Sequence, residues 1–190
     1  MTSYFKRSLY GGAITVELPS FFVDVSDFRQ VPDHQEVFLD NSGFTSIIFD
    51  ITERVGSDST GPDVDCAALT AHLEDITEKE TVQVWNTNST QFSKLPEGIP
   101  AYTLIATPIE SSKNPKNSKF TAILLTLVRL EKESTDILIT INVPHEDTED
   151  IELETGKLGK LIDNSIEYTT RIWQTFEIHN WNLFNDNSKN

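Results

Sequence analysis

Phe120–Leu130 and Ile137–Val143 are two apolar runs with only Glu131–Asp136 between them. A parallel return between neighbouring strands needs about a dozen residues or more, so these runs can pair only as an antiparallel hairpin. That hairpin constrains the fold more than any other feature of the chain, because the strands around it then read as one consecutive, largely antiparallel set.

Further strand signals lie on the N-terminal side. Val82–Trp85 and Ala101–Ile109 precede the hairpin, with the turn-rich Ser111–Pro115 before Phe120. Ser46–Val55 lies between Asn41-Ser42-Gly43 and the turn cluster Gly56–Pro62. Leu9–Leu18 reads as a strand ended by Pro19, with Ile14, Val16 and Leu18 on one face and Gly11-Gly12 marking a bulge or turn. Phe21–Asp40 has no clean period and is expected to form an ordered loop, one helical turn near Ser26 and a short strand over Glu36–Leu39.

Helical spacing occurs twice. From Asp63 to about Glu80, an acidic first turn complements the helix dipole, and Leu69, Leu73 and Ile76 recur at steps of four and three. Over Lys157–Phe176 a stripe of Leu158, Leu161, Ile162, Ile166, Thr169, Ile172, Trp173 and Phe176 marks the strongest helix. These elements predict an α+β fold, a largely antiparallel sheet covered by helices. One domain over residues 1–190 is expected, with the acidic loop Pro144–Glu154 and the polar tail 185–190 as its least ordered parts.

Charge narrows the function classes. Thirty acidic against 15 basic side chains give a net charge of −15. Phosphate backbones and anionic lipid would be repelled at long range, so nucleic acid and membrane surfaces are poor partners, whereas a basic protein surface fits. No segment approaches the roughly 18 apolar residues that a spanning helix needs, so direct membrane insertion is not expected. Cys66 is the single cysteine, which rules out an intrachain disulfide and a multi-thiolate zinc site and points to a reducing compartment, the nucleus or cytoplasm.

Catalytic templates each lack a required part. Gly11-Gly12 is not followed by the Lys-Ser or Lys-Thr of a phosphate cradle. His34, His72, His145 and His179 are scattered at no ligand spacing and read as surface or core histidines, and Cys66 among alanines reads as a small packed residue. The acidic run after His145 lacks the ligand order of an EF-hand loop and reads as a solvated charge run. No metal or cofactor is expected. The segment holding Asp24, Asp27, Asp33 and Glu36 differs, because Val23, Val25, Phe28, Val31 and Val37 are interleaved with its carboxylates. Apolar anchors can hold such a loop rigid while the acids point outward, which suits recognition of a basic surface. The alternative is structural: Asp24 and Asp27 capping turns, with Asp33 and Glu36 merely exposed.

The stretches Leu9-Tyr10-Gly11-Gly12-Ala13, Asp24-Val25-Ser26-Asp27-Phe28-Arg29 and Val31-Pro32-Asp33-His34-Gln35-Glu36-Val37-Phe38 closely resemble the Ran guanine nucleotide release factor family, the Mog proteins of nuclear transport. Thr135-Asp136-Ile137-Leu138, Asn142-Val143-Pro144 and a C-terminal helix match more loosely. The resemblance implies an α/β/α sandwich around an antiparallel sheet, a fold shared with lumenal photosystem extrinsic proteins. It implies binding to the small GTPase Ran and release of its nucleotide, a non-catalytic role without a cofactor, in the nucleus and cytoplasm. A monomer is expected, with an additional Ran-binding protein as a candidate further partner. The family's acidic cluster falls on Asp24, Asp27, Asp33 and Glu36, with Phe28, Arg29 and Gln35 in support and with Asp33 and Glu36 ranked first. Charge reversal at Asp33 or Glu36 is then expected to affect binding far more than stability. Two other readings remain open at this level: an acidic adaptor for basic segments of transport partners, and an enzyme using Asp33 and Glu36 as an acid/base pair in a pocket.

Overall fold

The computed structural model describes residues 2–56, 59–109, 120–145 and 160–185. In chain order the strands are β1 (Tyr4–Leu9), β2 (Ile14–Pro19), β3 (Phe22–Asp24), β4 (Gln35–Asp40), β5 (Ser46–Glu53), β6 (Val82–Thr90), β7 (Ala101–Pro108), β8 (Phe120–Leu130), β9 (Thr135–His145) and β10 (Glu177–Ile178). Helix α1 (Pro62–Ile76) follows β5, and helix α2 (Lys160–Thr175) follows β9.

The hairpin forms between β8 and β9 in register Leu127↔Leu138 and Arg129↔Asp136. It sits at the middle of a seven-stranded antiparallel sheet of order β3-β4-β5-β9-β8-β7-β6, while β1, β2 and β10 make a smaller sheet. Side-chain alternation divides β8 between two layers. Ile123, Leu125 and Leu127 pack with Ala68, Leu69 and Leu73 of α1. Ala122, Leu124, Val128 and Leu130 face the opposite layer, with Ile172 of α2, Phe176 just beyond it, and Ile14, Val16 and Leu18 of β2. Helices on both faces of the antiparallel sheet make the expected α/β/α sandwich.

Several boundaries differ from the sequence expectation. Leu9–Leu18 is not one strand: the chain turns back at Tyr10–Gly12, so that β1, which the sequence reading did not anticipate, pairs with β2. Helix α1 stops at Ile76, short of Glu80, because Glu78 and Lys79 adopt left-handed backbone angles of φ 51° and 63° that cannot continue it. Strand β6 extends to Thr90. The buried side of α2 runs through Ser165, Tyr168, Thr169 and Ile172 to Phe176 just past its end, which leaves Ile166 37% exposed at the margin of the expected stripe. Residues 110–119, the acidic loop beyond His145, the start of the C-terminal helix at Lys157 and the tail after Asn185 lie outside the described residues.

One buried polar cluster ties α1 to the sheet. Arg129 and Asp136 are fully buried, with Asp65 and His72 of α1 nearly so. The Arg129 Nε lies 3.3 Å from Asp136 Oδ1 and 3.4 Å from Asp65 Oδ1, and Arg129 Nη2 donates to the Val55 carbonyl at 3.0 Å. Asp136 Oδ2 accepts from the Val55 amide at 3.0 Å and lies 2.9 Å from His72 Nε2. His72 is thus a core histidine with a partner, as its isolation in the sequence suggested.

Candidate partner-binding site

Strand β3 ends at Asp24, whose Oδ1 accepts from the Ser26 amide at 2.8 Å and the Ser26 hydroxyl at 2.6 Å. This caps the 3₁₀ turn Val25–Asp27, which closes when the Phe28 and Arg29 amides donate to the Val25 carbonyl at 3.0 and 3.1 Å. Buried Val25 anchors the turn, and from Ser26 to Gln30 every residue is exposed, Phe28 at 76%. An unpaired aromatic ring presented to water beside charged groups is a common mark of a contact surface.

The chain returns through Val31–His34, where the Gln35 amide donates to the Pro32 carbonyl at 2.9 Å. The His34 carbonyl accepts from the Ile51 amide at 2.9 Å and from the Tyr10 hydroxyl at 3.1 Å. Gln35 Nε2 donates to Asp50 Oδ2 at 3.0 Å, and His34 Nε2 lies 3.9 Å from Asp50 Oδ1. Glu36 Oε1 accepts from the Tyr10 amide at 2.5 Å. Burial pushes the Glu36 carboxyl above its ordinary range; the Tyr10 hydrogen bond opposes that rise, and the nearby Asp24 charge adds to it.

The predicted residues therefore separate by environment. Asp27, Phe28, Arg29 and Asp33 are exposed on the loop. Asp24 is a half-buried cap, which is its structural reading, and Gln35 is half-buried against Asp50. Glu36 is half-buried and hydrogen-bonded, so the expectation of a freely exposed carboxylate is corrected: reversing its charge costs stability as well as altering the surface. Asp33 remains a plain surface acid. A cavity of about 280 Å³ lined by Pro96, Ile99, Glu131 and Trp181 includes neither Asp33 nor Glu36. Tyr10 and Asp50, which pin the acidic loop, are not singled out as functional by the sequence; the local signals at Tyr10 are the glycine pair that follows it and its place in the Leu9–Ala13 stretch that resembles the family.

A family model described as Ran-interacting Mog1 protein matches residues 7–144. A probable Ran guanine nucleotide release factor of Dictyostelium discoideum is 34% identical over 145 residues, 72% of each chain. The nuclear import protein MOG1 of Saccharomyces cerevisiae is 33% identical over 147 residues, 72% of this chain and 64% of that one. The crystal structure of the Saccharomyces cerevisiae Ran-binding protein Mog1p superposes with a TM-score of 0.78 over 97% of this chain and all of that one, and at 24% identity this likeness shows the shared fold. The family match runs from the second half of β1 through β2, the acidic loop, α1 and the central hairpin almost to the end of β9, and on that ground the chain belongs to the Ran-interacting Mog1 protein family.

Proposed function

We propose that this chain binds the small GTPase Ran through the acidic loop bearing Asp24, Asp27, Asp33 and Glu36, and that binding promotes release of Ran's guanine nucleotide in support of nuclear import. The observation that carries this reading is the loop itself, an acid-bearing surface with an exposed Phe28, capped by Asp24 on Ser26 and held by Tyr10 at His34 and Glu36 and by Asp50 of β5 at Gln35. The names of the Dictyostelium and yeast relatives support the partner and the process.

No covalent step is involved, and the chain acts as a binding and exchange factor without cofactor. If it prefers a Ran state that holds nucleotide loosely, then nucleotide must weaken its binding by the same factor, because coupling free energies are reciprocal. A net charge of −15 attracts the GTPase's basic surface and speeds encounter. Arg29 and Gln35 flank the acids and help set the docking register. It works as a monomer in the nucleus and cytoplasm, with an additional Ran-binding protein as a candidate third member of the complex.

The test is to mix the protein with purified Ran carrying a fluorescent guanine nucleotide and follow release. Accelerated release, lost on Asp33→Lys, supports the reading. Binding to Ran without any acceleration would instead favour the acidic adaptor, and absence of binding would overturn both.

A further inference from the structure

Three consecutive residues, Tyr10, Gly11 and Gly12, adopt left-handed backbone angles of φ 50°, 63° and 89°. Tyrosine is not a residue that favours this region, so surrounding contacts must over-determine it. Two of those contacts end on the acidic loop: the Tyr10 amide donates to Glu36 Oε1 and the Tyr10 hydroxyl to the His34 carbonyl. The ring itself packs against the main core.

We propose that the Tyr10–Gly11–Gly12 turn is a positioning element for the docking surface: its first amide holds one carboxylate oxygen of the half-buried Glu36 and leaves the other to meet a basic group of the partner. The role in binding rests on the reading that the acidic loop contacts Ran; the clamp on Glu36 does not.

The physical case is a balance. Glu36 is partly removed from water on β4, and Asp24 lies close enough on β3 to repel its charge; both favour a protonated, neutral side chain. Tyr10 on the turn faces both Glu36 and Asp50 of β5, and Asp50 in turn lies 3.9 Å from His34 on the loop. Against burial and Asp24 stands the Tyr10 N–H, a donor that favours the ionised form. The amide reaches Glu36 because the left-handed turn swings it away from the β1–β2 ladder, where Leu9 and Ile14 form the last pair. Glycine at positions 11 and 12 makes the turn accessible, since a Cβ at either position would meet nothing within 4 Å and the requirement is therefore conformational and not spatial.

Gly12→Ala tests this without a clash. Its Cβ strains the φ of 89° and should displace the Tyr10 amide. The Glu36 carboxyl, followed by carbon NMR in the free protein, should then titrate about one to two pH units higher in Gly12→Ala than in wild type, ten- to a hundredfold in proton affinity. Tyr10→Phe keeps the amide and should titrate as wild type does, which separates the backbone donor from the hydroxyl. Binding to purified Ran supplies the second readout. Because the charged form binds, affinity should fall as pH drops through the Glu36 midpoint, and in Gly12→Ala that fall should begin at higher pH. Glu36→Gln should bind more weakly without that acid limb, and adding Gly12→Ala to it should cost nothing more. An unchanged Glu36 titration in a cooperatively melting Gly12→Ala protein overturns the clamp. A shifted titration with Ran affinity independent of Glu36 refutes the loop reading and the turn's part in binding, and leaves the clamp standing.

Discussion

Replacing Asp136 with alanine should be among the most damaging single changes in this protein, although the residue lies far from any proposed contact in the chain order. Asp136 is fully buried and meets three groups: the Val55 amide at 3.0 Å, His72 Nε2 at 2.9 Å and Arg129 Nε at 3.3 Å. Removing one member of a buried ion pair leaves an uncompensated charge and costs about 3–5 kcal/mol. A domain of this kind has about 5–15 kcal/mol of stability in all. With a urea slope of about 2 kcal/mol per M, a loss of about 4 kcal/mol lowers the unfolding midpoint by about 2 M at constant slope. Asp65 supplies a contrast within the same cluster. Its carboxyl is pushed up by burial more strongly than Arg129 draws it down. A carboxyl raised in the folded state is a liability above its unfolded pKa and ceases to be one as pH falls, so Asp65→Asn should cost much less than Asp136→Ala at neutral pH. Equilibrium urea denaturation of both variants decides the matter. A midpoint shift under about 0.5 M for Asp136→Ala, or equal shifts for the two, refutes the claim that Asp136 is the principal counter-charge of Arg129.

Three other outcomes are expected. Asp33→Lys should leave the melt within about 0.5 kcal/mol of wild type while weakening Ran binding by about 2 kcal/mol or more, roughly thirtyfold, as read by pull-down or fluorescence titration; wild-type affinity would remove Asp33 from the site. The association rate with Ran should fall steeply with salt while dissociation changes little, because at about 0.15 M ionic strength attraction is screened beyond roughly 8 Å; stopped-flow rates indifferent to salt would assign recognition to Phe28 instead. Phe176→Ala should cost about 3–5 kcal/mol in thermal or urea unfolding, since the ring is fully buried and packs on Phe49 and Phe92 with centroids 6.3 and 5.6 Å away.

How much could be read without coordinates differs by element. Strand β8 was legible to the residue, because a continuous apolar run closed by the Glu131–Asp136 junction allows one local solution. Helix α1 was legible in its buried residues Leu69 and Leu73 but not in its end, since the left-handed angles at Glu78 and Lys79 carry no glycine or proline signal. The stripe on α2 was right at Ile172 and Phe176 and wrong at Ile166. Ser165 and Tyr168 turned inward because Tyr168 packs edge-on against Phe21 and Phe22, partners that periodicity cannot see.

The acidic loop shows the same division at finer scale. That Asp24, Asp27, Asp33 and Glu36 share one anchored segment follows from composition and local turn chemistry, because a capping aspartate acts on a residue two positions away. Which of them is free was decided elsewhere. Glu36 is claimed by a backbone amide 26 residues earlier in the chain, and Gln35 by a carboxylate 15 residues later. Likewise Asp136 and His72 are 64 residues apart in sequence and in contact in space. Spacing, turns and two-fold or helical periods depend on near neighbours and so are written in the order of residues. Burial, charge compensation and the aim of a hydrogen bond depend on what the folded sheet brings alongside, and only tertiary packing settles them.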